Sequence, residues 1–301
     1  MASEATDVRR RNVGIAFVVA SAVAFGAMAI LARFAFASGV DTTTLLALRF
    51  AIAAFVMVAV LRARRLPVPR GSTLAALVAL GAAGYGGQAI CYFTALRLAP
   101  AGLAALLLYL HPALVALLAA AFLHERLTAT KLAALAIALL GTSLTVAPAI
   151  GDGASSAGPQ VLTGLAFAVA SAAFYAGYIV VAAAIGRRAS ALPMSAVVTA
   201  SAATLFTVAA LIRGPQWPQT AAGWLAIAGI ALFSTVLAIT LYFAGLERIG
   251  PVRASTLSTV EPLCTVILAA LVLDEKIEPV QLAGGALILA AAVLIARARG
   301  A

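Results

Sequence analysis

Charge is what this chain has least of. Asp, Glu, Lys and Arg make up 10% of its 301 residues, where soluble domains carry about 25%. Cysteine and histidine are rarer still, with two of each. Cys91 and Cys264 both fall inside apolar runs, so neither a disulfide framework nor a metal centre is expected. No phosphate loop, nucleophile elbow or metal-ligand spacing occurs in the sequence. The only ionisable pair on offer to a catalyst is His111 with Glu261, and the chain is read as a non-enzyme with no cofactor and no metal.

What fills the space is apolar, since 64% of the residues are hydrophobic. A soluble core cannot absorb that much, so the solvent must be lipid. The formal net charge of +10 does not argue for nucleic acid. Its cations sit in short clusters between apolar runs, as in the cytoplasmic loops of membrane proteins. The expected partners are the lipid bilayer and a small-molecule substrate; no nucleic acid is expected, and a homo-oligomer stays open. The run behind Arg9, Arg10 and Arg11 exceeds the apolar core of a signal peptide and reads as a first membrane helix.

About 20 apolar residues cross a bilayer as a helix. Ten runs qualify, near 13–35, 43–61, 73–95, 101–123, 130–149, 161–183, 191–212, 222–245, 252–273 and 279–297. The fold class is therefore an all-α integral membrane protein of ten transmembrane helices. Residues 111–126 (HPALVALLAAAFLHER) and 261–276 (EPLCTVILAALVLDEK) align in proline, apolar run and terminal Glu-plus-cation. The same shift of 150 pairs Tyr92-Phe93 with Tyr242-Phe243, and Gly14 and Ser21 with Gly164 and Ser171. A duplicated unit follows, one copy in 1–150 and the other in 151–301, with the linker GDGASSAGP at 151–159.

With the N-terminus in the cytoplasm, fifteen cations fall on that side. Four, Arg33, Arg97, Arg213 and Lys276, fall on the other, and Arg49 lies inside a helix. This bias predicts that both termini are cytoplasmic. Five helices per copy is an odd number, so the second copy enters the membrane from the opposite side. Inverted repeats are a hallmark of secondary transporters, whose halves rock about a central site.

The fourth and ninth runs carry Pro112 and Pro262 near their centres as helix breaks. Each removes a donor and frees the carbonyl four residues back, at Leu108 and Ser258. Such breaks belong where protein or a water-filled cavity supplies a partner. Just before them stand His111 and Glu261, at equivalent positions. An ionisable group at the bilayer centre costs roughly 3 kcal/mol on insertion scales. Both are therefore candidates for proton coupling, His111 for substrate contact as well; the alternative is a neutral His and a neutral or Arg-paired Glu that merely lock helices together. Arg49 needs Glu261 or a substrate carboxylate as its partner, or else snorkels outward with its stem buried.

Tyr85, Gln88 and Tyr92 share one face of the third run. Ser21, Phe25 and Met28 share one face of the first, and their counterparts Ser171, Tyr175 and Tyr178 one face of the sixth. Tyr242 repeats Tyr92, and Tyr109 sits two residues before His111. These tyrosines with Gln88, His111, Ser258 and Arg49 form the candidate substrate-contact set. The competing reading is ordinary packing or interfacial tyrosine. Gly81, Gly84, Gly86, Gly87 and the Gly284-Gly285 pair read as close helix packing.

Leu48-Arg49-Phe50, Tyr92-Phe93 with Ala95-Leu96, Pro112 with Glu125-Arg126-Leu127, and Pro262 with Glu275-Lys276 resemble the EamA-type proteins of the drug/metabolite transporter superfamily. The resemblance covers nearly the whole chain and both repeats. It implies ten helices in two inverted five-helix repeats, a central cavity, and export of amino acids, drugs or other metabolites. Within the family the chain is similar to bacterial inner-membrane amino-acid exporters, including those taking aromatic amino acids and flat cationic toxicants. The expected function is export of amino acids from the cytoplasm by alternating access. The alternative is an exporter of drugs or flat cations, or a facilitator without ion coupling. The resemblance gives Glu125 and Glu275 a helix-end packing or gating role at the membrane edge.

Overall fold

The computed structural model describes residues 2–123, 128–151, 158–186, 191–249, 257–258 and 260–298, and every regular element among them is helical. Glu125, Arg126 and most of the linker at 151–159 lie outside the described residues. Seven helical stretches are long and apolar enough to cross a membrane: Arg11–Ala37, Thr42–Ala63, Gly71–Leu98, Ala101–Phe122, Pro159–Ala182, Leu192–Arg213 and Ala221–Tyr242. Three shorter apolar helices, Ala129–Thr145, Val260–Leu273 and Pro279–Leu294, fall in the fifth, ninth and tenth expected runs. The ninth run begins among residues outside the described set, so it is shorter here than its sequence.

Local chemistry sets the helix boundaries. Between α1 (Ala2–Ala37) and α2 (Thr42–Ala63), Gly39 takes a φ of 86° that a side chain would resist. Asp41 then caps α2, accepting from the N–H groups of Thr43 at 2.9 Å and Thr44 at 3.2 Å. Burial opposes the charge on Asp41, but donors from Thr44, Gln216 and Thr43 outweigh it and hold the carboxyl below its ordinary value.

The third span is not one regular helix. It runs as α3 (Gly71–Ala79), a π turn (Leu80–Tyr85) and α4 (Gly86–Leu98). The fourth span divides into α5 (Ala101–Leu108) and α6 (His111–Leu123). The break expected at Pro112 falls just ahead of it, so the ring sits in the first turn of α6, where a missing N–H costs nothing. The chain continues through α7 (Ala129–Gly151), α8 (Gly158–Gly186), α9 (Ala191–Arg213) and α10 (Ala221–Ala231). A second π turn (Leu232–Leu237) leads to α11 (Ala238–Ile249), followed by α12 (Val260–Leu273) and α13 (Pro279–Ala298).

The packing is exchanged between the halves. Helix α1 packs on α11, and α4 packs on α8; α2 lies on α9, and α7 on α13. Ser21 Oγ donates to the Ala238 carbonyl at 2.7 Å. Its counterpart Ser171 Oγ donates to the carbonyl of Gln88, the counterpart of Ala238, at 3.1 Å. At the α7–α13 seam a Cβ on Gly141 would lie 2.6 Å from the Gly284 carbonyl oxygen, and one on Gly284 equally close to that of Gly141. The packing role read for Gly284 is what the seam requires.

Beneath these seams lies a core that includes Leu45, Leu46, Phe50, Phe93 and Leu96, all fully buried. Its outer surface is apolar too, with Phe55, Ile212, Leu225 and Leu271 each about three-quarters exposed. Such a surface is stable only against lipid.

Candidate functional site

Where the two halves meet, a cavity of about 620 Å³ opens. Its wall takes residues from α1, α2, the first π turn, α4, α5, α6, α8, α9, α11, α12 and α13. All six tyrosines of the chain line it, Tyr85, Tyr92, Tyr109, Tyr175, Tyr178 and Tyr242. None is left for an interfacial belt. The rings touch in series: Phe50 meets Tyr85 edge-on at 5.3 Å, Tyr85 meets Tyr178 at 5.6 Å, and Tyr178 stacks on Tyr175 at 6.0 Å. Tyr175 in turn lies 4.7 Å from the His111 ring. Gln88, His111, Pro112, Ser258, Glu261 and Arg49 share the same wall, as do Ser21, Phe25 and Met28 of α1. Ser171 does not reach it; its hydroxyl is held between the backbone carbonyl and side-chain amide of Gln88. Pro262 is buried behind the wall.

The carbonyls freed by the two prolines both find partners in this cavity. His111 Nδ1 stands 3.0 Å from the Leu108 carbonyl. A carbonyl only accepts, so Nδ1 carries the proton. Ser258 is capped from the other repeat: Tyr109 donates its hydroxyl to the Ser258 carbonyl at 2.7 Å. The same hydroxyl lies 3.0 Å from Glu261 Oε2. One phenolic proton thus faces two acceptors across the repeat boundary. Helix α1 comes close to this point because residue 26 is glycine; a Cβ there would stand 2.8 Å from the Glu261 carbonyl oxygen.

Of the arrangements expected for Arg49, which is 4% exposed, the structure shows neither the pair with Glu261 nor the outward snorkel; a substrate carboxylate is the one left. Its Nε donates to Thr235 Oγ1 at 3.2 Å, and Thr235 donates to the Ile230 carbonyl, five residues back, at 2.9 Å. The guanidinium carbon lies 4.9 Å from the Phe50 ring centre and 5.1 Å from that of Phe93, in cation–π range. Thr235 belongs to the second π turn and Tyr85 ends the first, at repeat-equivalent positions. Sequence reasoning missed Thr235 and Phe93 as site residues; the shift of 150 that turns Tyr85 into Thr235 was the available signal.

Glu275 lies away from the cavity. Its carboxylate accepts from the Ala101 and Gly102 N–H groups at 2.8 and 3.1 Å, and Arg33 stands 3.7 Å away. That is a cap on the first turn of α5, the helix-end role expected of it. Among the described residues no cluster of His, Cys, Asp and Glu is arranged to hold a metal.

The EamA-like transporter family matches residues 12–147 and again 162–297. Both ends of the match are displaced by the same 150 residues that separate the two halves. The chain belongs to the EamA-like transporter family. Its seven long apolar stretches fit a multi-pass membrane protein of that family. Two curated relatives carry transporter names. Uncharacterized transporter sll1319 of Synechocystis sp. is 26% identical over 202 residues, 66% of this chain and 60% of that protein. Uncharacterized transporter YcbK of Bacillus subtilis is 31% identical over 131 residues, 41% of each. The chain thus spans less than two thirds of either relative in these matches. One crystallised protein shares the fold of this EamA-like transporter, with a TM-score of 0.64 at 23% identity over 97% of this chain and all of that one.

Proposed function

We propose that this EamA-like transporter exports amino acids, aromatic ones included, from the cytoplasm across the inner membrane by alternating access. In this reading its ten membrane helices form two inverted five-helix repeats, 1–150 and 151–301, with both termini cytoplasmic. The supporting observation is the cavity at the repeat junction, where a buried cation, a carboxyl and the chain's entire tyrosine complement converge. Aromatic walls with polar tips suit a flat apolar body, and the two ionisable poles suit a zwitterion. The exchanged contacts of α1 with α11 and α4 with α8 support a two-fold relation between the halves. Substrate contact falls to Tyr85, Gln88, Tyr92, Tyr109, His111, Tyr175, Tyr178, Tyr242, Ser258 and Arg49.

Glu261 is the proton carrier in this scheme, with His111 as its neighbour in the same wall. When Glu261 is protonated, it donates to Tyr109, Tyr109 donates to Ser258, and each acceptor has a proton. When it is ionised, Tyr109 has one proton for two acceptors. The cross-repeat contact therefore differs between the two states of the carboxyl, and only such a difference lets a proton bias a conformational equilibrium.

The test uses purified protein in liposomes and a labelled aromatic amino acid, with and without an imposed pH gradient. Wild type is expected to respond to the gradient. Glu261→Gln is expected to fold, to lose that response and to retain substrate exchange. A well-folded variant with an unchanged response removes Glu261 from the coupling role. An unresponsive wild type points to a facilitator driven by the substrate's own gradient, and uptake confined to flat cations points to a toxicant exporter. The inverted arrangement has its own check. Single cysteines in 62–70 should label from the cytoplasm and those in 151–159 from outside; both labelling from one face would overturn it.

A further inference from the structure

We propose that Arg49 is a carboxylate subsite of the cavity, aimed by the π turn of the second repeat. The inference rests on the transport reading and deepens it, naming the group by which a substrate with a flat apolar body is held.

A guanidinium stays charged in any protein setting and carries five N–H donors in a planar fork. Arg49 is 4% exposed, yet among the described residues no Asp or Glu lies within ion-pair distance of it. One donor, Nε, is used on Thr235 at 3.2 Å. Thr235 sends its own proton to the Ile230 carbonyl at 2.9 Å, so it meets Arg49 with a lone pair and cannot turn away. The rings of Phe50 and Phe93 flank the guanidinium carbon at 4.9 and 5.1 Å and hold its plane. Among the described residues the two terminal nitrogens have no hydrogen-bond partner, and they are not among the sealed, unsatisfied atoms there. Arg49 lines the cavity.

A buried guanidinium left without a counter-charge is strongly unfavourable. The group that best answers two parallel terminal N–H pairs is a carboxylate, bound fork to fork. Glu261 does not supply it, being engaged with Tyr109 at 3.0 Å. Both residues line the cavity without pairing with each other, so they stand as separate poles of it. A substrate cation gains nothing at the Arg49 pole. The subsite therefore selects amino acids and aromatic carboxylates over flat cations of the same size.

Isothermal titration of the purified full-length protein tests this without a transport step. The probes are L-phenylalanine, L-leucine and phenylacetate against L-phenylalaninamide and phenethylamine, which keep the body and lose the carboxylate. Wild type is expected to bind the acids at least about tenfold more tightly than their carboxylate-free counterparts, the margin of a charged bidentate pair. Arg49→Gln is expected to bring that ratio to about one, and Arg49→Lys to leave it in between, because an ammonium is a point charge and not a fork. Thr235→Val keeps the charge and removes its anchor, so it should lower the ratio even if the Arg49 variants fail to fold. Wild type binding the amide and amine as tightly as the acids overturns the proposal. So does an unchanged ratio in a folded Arg49→Gln, or the absence of saturable binding for every acid in the set. Carboxylate preference in titration with no uptake of any probe into liposomes leaves the subsite standing and sinks the transport reading instead.

Discussion

Ser21 and Ser171 hold equivalent carbonyls across the repeat boundary, yet Ser171 also receives the side-chain amide of Gln88 at 3.2 Å. The counterpart of Gln88 is Ala238, which has nothing to offer. The same divergence recurs around the cavity. Tyr85 faces Thr235 across the duplication, His111 faces Glu261, and Phe25 and Met28 face Tyr175 and Tyr178. Backbone approaches and packing partners are kept in both copies, while side-chain chemistry is not. Duplication built the space between the repeats, and divergence gave that space two unlike poles.

The largest effect should come from the frame that both copies share. Gly141→Leu and Gly284→Leu each drive a side chain into the other residue's backbone. Each is expected to destabilise by on the order of 3 kcal/mol or more, since this seam has no void to absorb the overpacking. Thermal unfolding in detergent measures both, and no loss at either would mean that the seam tolerates side chains at its glycines.

A smaller effect separates the two serines. Ser21→Ala removes one hydrogen bond and should cost about 1 kcal/mol. Ser171→Ala also strands the buried Gln88 amide, and about 2 kcal/mol is expected. Restoring most of that difference with Gln88→Ala in the same chain would confirm where it arises. Equal losses at the two serines would mean that the Gln88 contact contributes nothing.

The smallest effect lies outside the membrane, at the Asp41 cap of α2. Asp41→Ala should remove about 0.5 kcal/mol from the start of α2. Because the native carboxyl titrates below its ordinary value, the cap's contribution is fully present above about pH 4, the unfolded value. It is lost as the pH falls through the lowered native value. The gap in Tm between wild type and Asp41→Ala should therefore close on acidification; a gap that widens would contradict the assignment.

The duplication was legible because a shift of 150 aligns residues without a gap, from Gly14 through Lys276. The tyrosines were legible as helical stripes, since spacing of three and four residues puts Tyr85, Gln88 and Tyr92 on one face. Two things were not. The π turns leave no common local pattern: the first, LGAAGY, is rich in glycine, and the second, LFSTVL, has none. They are set by what packs against them. The partner of Arg49 was sought among carboxylates, because charge pairing is the usual answer to a buried guanidinium. The protein groups that hold it for a substrate carboxylate are a threonine hydroxyl and two phenyl rings, which no sequence pattern marks as neighbours of a cation.

The exchanged packing also has a history in time. Ser21 is 217 residues from its acceptor, Ala238, while Gln88 is only 83 from Ser171. At ribosomal rates of about 5–20 residues per second, α1 waits roughly 10–40 s for the helix that covers it, and α4 roughly 4–17 s. During that interval Gly14, which in the finished fold abuts Ile249 of α11, and the hydroxyl of Ser21 face lipid or whatever the insertion machinery holds against them. The first helix made is thus among the last to be housed. A nascent chain stopped at the end of the first repeat carries half of every exchanged seam and the whole of none.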